Sequence, residues 1–127
     1  MPSRTYDNLL LLKDAGAVVA DAAAQVGGSA RVVDVGNAHM DGVAVIDTSA
    51  IDFADTTETY TVRIQGSQAV GFGTFVELGA REIKTVGRIE IPFNNEINGV
   101  YYQYIRAYND TGGATPSINS TVFIAKP

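Results

Sequence analysis

Cysteine and tryptophan are absent from the 127-residue chain, and histidine occurs once. Without thiolates the chain has no disulfides, no sulfur-ligated zinc, no iron–sulfur cluster and no cysteine nucleophile. Cations are scarce too. Nine Lys and Arg against 14 Asp and Glu leave a formal charge of −5 and a pI near 4.6. That balance argues against a nucleic-acid partner, because such binders need a cationic footprint to displace counterions. It argues equally against an anionic membrane surface. Long apolar runs are missing as well: the longest aliphatic run, Leu9 to Leu12, is too short for a signal-peptide core or a bilayer span. The expectation is a soluble chain without an export signal of its own.

What is present points to one all-β domain. A hydrophobic content of 46% over this length fits a single core. Glycine, at 13 residues, exceeds the average share and accompanies abundant Val, Ile, Thr and Tyr. Residues 1–13 read as an N-terminal arm in which Tyr6, Leu9, Leu10, Leu11 and Leu12 supply apolar side chains without polar alternation; a short helix capped by Asp7 is an alternative there. Residues 14–127 read as the domain. Within it, Ala15–Gln25 is rich in alanine, yet its glycine, its Val18-Val19 pair and the following Gly27-Gly28 favour a strand and turn over a helix.

Strands are expected at Arg31–Val35, Val43–Ile46 and Thr59–Gln65. The last alternates Tyr60, Val62 and Ile64 against Thr61, Arg63 and Gln65. A further strand, Thr74–Leu78, should stop at Gly79, and Gly87–Ile91 should stop at Pro92, which has no N–H to donate. Val100–Tyr108 is expected to be the longest strand and carries bulk on both faces. Asn109–Thr115 reads as a turn, and Ile118–Ala125 as the closing strand. Seven or eight short strands of this kind predict a jelly-roll-like β-sandwich.

Catalytic signatures are weak. His39, the only histidine, sits in an expected loop, Asn37–Gly42. It is the sole base available to a Ser–His–Asp triad and is insufficient for a multi-histidine metal site. Asp34, Asp41, Asp47, Asp52, Asp55 and Glu58 lack the ligand spacing of a calcium loop and read as a solvated face. Nothing in the spacing of Glu77, Glu82, Glu90 and Glu96 brings two carboxyls to one glycosidic bond. Gly71-Phe72-Gly73-Thr74 lacks the lysine and helix of a phosphate loop. The triplets at Asn109 and Asn119 match a glycosylation acceptor by chance. The expectation is therefore a non-enzyme without cofactor or metal. The aromatic crowding of Tyr101, Tyr102, Tyr104 and Tyr108 suits either a sandwich core and rim or a protein interface. Arg106, set among these rings, is a candidate partner for an acid elsewhere.

The blocks Gly87–Glu96 (GRIEIPFNNE), Tyr102–Arg106 (YQYIR), Ala114–Asn119 (ATPSIN) and Ala125-Lys126 resemble capsid cement, or decoration, proteins of tailed bacteriophages of the small jelly-roll type known from Bordetella phage. Leu9–Asp14 and Val33–Gly36 resemble the N-terminal part of the same family, whereas residues 37–60 show no such likeness. The resemblance implies a non-enzymatic component made in the host cytoplasm and bound to the outer capsid surface. It implies contacts with the phage major capsid protein and with copies of itself, as a homodimer or homotrimer. Under that reading Tyr6, Leu9, Leu10, Leu11, Leu12, Tyr101, Tyr102, Tyr104 and Arg106 are the expected capsid or subunit contacts. The alternatives are a carbohydrate- or receptor-binding β-sandwich on a virion and, more remotely, a small hydrolase.

Overall fold

The structure is a computed structural model and describes residues 11–36, 38–53, 57–113 and 115–125. Every helix or strand among them is a strand: β1 (Leu11–Lys13), β2 (Ala17–Val18), β3 (Ala22–Ala23), β4 (Gln25–Val26), β5 (Ser29–Ala30), β6 (Val33–Asp34), β7 (Asp41–Ile51), β8 (Thr59–Ser67), β9 (Val76–Glu82), β10 (Gly87–Asn94), β11 (Glu96–Ile97), β12 (Val100–Tyr101), β13 (Tyr104–Gly112) and β14 (Ile118–Ala125). In the first sheet β10, β7 and β14 lie side by side, and β1 and β2 follow one another along the far edge of β14. The second sheet runs β9, β8, β13, with β3 and β6 sharing the far edge of β13. All pairings are antiparallel. The hairpins β4–β5 and β11–β12 stand apart.

If β1 with β2 forms one column and β3 with β6 the next, chain order gives eight columns arranged 1-8-3-6 facing 2-7-4-5. That order is the connectivity of a jelly roll, in which the chain crosses repeatedly between two sheets. The chain is thus an all-β sandwich, as its sequence predicts. Between the sheets lie Leu12, Ile46, Tyr60, Ile64, Ile105, Ile124 and their neighbours. A second cluster, Leu11, Val43, Val45, Phe123 and Ala125 with Val26 against it, occupies the other side of the first sheet. Strand alternation explains the split: side chains on β7 and β14 point to opposite faces in turn.

Several boundaries differ from those read in the sequence. Pro92 does not end β10; it pairs in register with Val43, and the strand runs on to Asn94. The reason is position, because β10 is the edge of its sheet. A proline whose nitrogen faces the open side breaks no ladder bond. Gly79 likewise lies inside β9, opposite Ile64. A Cβ there would fall 2.8 Å from Ile91 Cγ2, so the glycine lets the edges of the two sheets close on one another. The expected short run at Val43–Ile46 lies in the first half of β7, which at 11 residues is the longest strand. The expected Val100–Tyr108 strand is broken after Tyr101, and β13 continues to Gly112 through residues expected to turn. Ala15–Gln25 is extended, as expected, but in two-residue pieces.

Candidate functional site

The outer face of the second sheet gathers three residues that the sequence singled out, Tyr104, Arg106 and Tyr108. Ile105 and Ala107 of β13 point into the core, so Tyr104, Arg106 and Tyr108 stand on the opposite face. Their registered neighbours on β8 are Ser67, Gln65 and Arg63. Arg106 Nε donates to Gln65 Oε1 at 2.8 Å. Its guanidinium carbon lies 4.4 Å from the centre of the Phe72 ring, 5.0 Å from Phe75 and 5.9 Å from Tyr108. Each such contact contributes about 0.5–2 kcal/mol, more where water is excluded. Burial among the rings lowers the pKa of the guanidinium from its ordinary value, and the nearby Tyr108 opposes this. The group remains a cation at physiological pH.

The loop between β8 and β9 supplies two of these rings. Ser67 Oγ donates to the Thr74 carbonyl at 2.8 Å and accepts from Ala69 N at 3.1 Å. Phe72 N donates to the Ala69 carbonyl at 3.1 Å. Within this knot Phe72 takes a left-handed backbone, φ 51°, which costs about 1–3 kcal/mol for a side chain of this size. Its ring is 6% exposed against Arg106, whereas Phe75 is 46% and Val70 65% exposed. The loop therefore buries one aromatic ring on the guanidinium and offers two apolar groups to the outside. A cleft of about 390 Å³ lies alongside, lined by Ser67, Ala69, Thr74, Phe75, Val76 and Tyr102.

One row along the sheet, Arg63 is fully engaged. Its Nη1 donates to Glu77 at 2.6 Å, while Nη2 and Nε donate to Asp110 Oδ2 at 2.9 and 3.1 Å. These two carboxylates hold the Arg63 pKa above its ordinary value. Glu77 is the registered neighbour of Gln65 and shares the Arg106 row, but Arg63 takes it. No carboxylate pairs with Arg106 among the described residues.

The remaining expected contacts divide. Tyr104 lies on this face, half-buried. Tyr102, also half-buried, lines the cleft, and Tyr101 pairs with Glu96 in the β11–β12 hairpin. Leu11 and Leu12 belong to the sandwich itself. As part of β1 they pair with β14 and are buried on its two sides, so the domain begins before residue 14. Tyr6, Leu9 and Leu10 fall outside the described residues, as does the rest of the expected arm up to residue 10. His39 is exposed and bridges Glu96 (Nδ1, 3.0 Å) and Asp41 (Nε2, 3.1 Å). Asp47 holds Arg88 through two bonds of 2.8 Å. Among the described residues no three His, Asp or Glu side chains are grouped to hold a metal ion.

No protein-family model matches the chain, and no curated protein matches it. The site is therefore read on its own chemistry. Sequence reasoning reached Arg106 and the tyrosines through aromatic crowding. It missed Phe72 and Phe75, which lie 31 and more residues away in sequence and meet Arg106 only through the loop's fold. It also missed Asn95, wholly buried, whose side chain bonds Ala38, Met40 and Tyr102 and so fixes the start of β13.

Proposed function

We propose that this chain is a capsid cement protein of a tailed bacteriophage: a non-enzymatic jelly-roll sandwich, working as a small homo-oligomer, that binds the outer surface of the shell and clamps neighbouring major capsid proteins. The observation that carries this reading is the arginine framed by Phe72 and Phe75 on the outer face of a sheet, beside a loop that exposes Phe75 and Val70. Arg and large aromatics beside a dry collar are the composition of a protein-docking centre. Supporting it are the resemblance over residues 87–126 and a sandwich connectivity that presents rigid faces. On a closed shell, many copies turn modest contacts into collective resistance to internal pressure.

Co-sedimentation with purified empty shells, together with solution mass, tests the proposal. The chain is expected as a dimer or trimer that pellets with shells and raises their rupture temperature. A monomer that stays in the supernatant overturns it. The cleft beside Phe75 and Tyr102 favours a second reading, a carbohydrate-binding module on a virion. Glycan-dependent binding that is lost in Tyr102→Ala, without shell binding, is the result that selects it.

A further inference from the structure

We infer that the terminal amino groups of Arg106 receive a carboxylate side chain from the protein on which this chain docks. The inference rests on the docking reading above and names the chemistry of the partner. Among the described residues Arg106 bonds through Nε alone, leaving the two-pronged end of the guanidinium for a planar two-oxygen acceptor. The rings of Phe72 and Phe75 hold that end in place, so little rotamer entropy is lost on pairing. Acids outnumber cations in this chain, and Arg63 and Arg88 both have carboxylates. Of these three arginines, Arg106 has the rings of Phe72 and Phe75 against it in place of a carboxylate.

Charge complementarity narrows the occupant. Asp34, Glu77 and Asp110 lie on the outer face of the same sheet, and Arg63 offsets only one of their three charges, so the face keeps a net negative charge that opposes a polyanion such as nucleic acid. A single carboxylate satisfies one fork and leaves the Arg63 pairs with Glu77 and Asp110 undisturbed. Phe75, half-exposed and against the guanidinium, then excludes water from one side of the new pair, where a charge-assisted bond is stronger.

The test uses the full chain and purified shells. Wild type, Arg106→Gln and Arg106→Lys are compared by co-sedimentation, on native shells and on shells whose carboxylates have been amidated with carbodiimide and glycinamide. Thermal melting confirms that each variant folds. The expected result is a loss of affinity of about tenfold or more in Arg106→Gln, incomplete rescue by lysine, and wild-type binding to amidated shells reduced to the level of the glutamine variant. Wild-type binding that survives both the glutamine change and amidation overturns the carboxylate while leaving shell docking intact. Wild type that never binds native shells overturns the docking reading, and the inference with it.

Discussion

At the scale of single residues, buried polar groups do more than ornament the core. Tyr60 is buried between the sheets, and its hydroxyl donates to the Asp52 carbonyl at 2.5 Å while accepting from Ser117 N at 2.8 Å. It thereby ties β8 of one sheet to the end of β7 and the start of β14 in the other. Tyr60→Phe keeps the ring and removes the hydroxyl that bonds both the Asp52 carbonyl and Ser117 N. A loss of about 1–3 kcal/mol in urea unfolding is expected; a stability equal to wild type is the contrary result. His39 gives a second residue-scale prediction. The hydrogen bond to Glu96, then the charge of Asp41, raises its pKa above the ordinary 6.5. A raised folded pKa means that the bridge is fully present below the unfolded value and is lost as pH rises through the folded one. Because the chain has one histidine, a single imidazole resonance reports it. Its NMR midpoint should lie above 6.5 and move back down in Glu96→Gln. A midpoint that ignores the Glu96 change contradicts the bridge.

At the scale of elements, sheet edges and turns decide what local pattern leaves open. Alternation read β8 and β14 well, because both are central strands with one face toward the core. It failed at Pro92 and Gly79, which carry ordinary stop signals yet sit in edge strands where those signals have no effect. It failed again at Asn109–Gly112, whose turn-prone residues pair with Val62–Thr59 across the sheet. The real turn comes at Gly113, with φ 97° and with Glu58 Cα 2.6 Å from where a Cβ would stand. Backbone cannot step aside as a flexible side chain can. Gly113→Ala is expected to cost about 2–4 kcal/mol from strained φ and overpacking together, read as a lower urea midpoint at unchanged slope. A near-neutral Gly113→Ala would show that the β13–β14 turn can relax away from residues 57 and 58.

At the scale of the whole molecule, the two sheets have different outer faces. The first carries a second apolar cluster and the Arg88–Asp47 pair. The second carries the Arg106 frame and the exposed loop apolar groups. Stability and docking should therefore separate. Phe75→Ser, at a half-exposed ring, is expected to change unfolding free energy by no more than about 2 kcal/mol, the size of its contact with Arg106, while cutting shell occupancy several-fold. Equal losses of both in paired melting and sedimentation measurements would count against the second sheet as the docking face.

Composition and short-range period were enough to establish an all-β chain, the strands β8 and β14 and an arginine set among tyrosines, because these follow from side-chain alternation and residue type alone. Strand order, the tolerance of Pro92 at an edge, the engagement of Arg63 by Glu77 and Asp110, and the closing of Phe72 over Arg106 were decided only in three dimensions. Each depends on which distant segments become neighbours, and that is set by the packing of one sheet against the other.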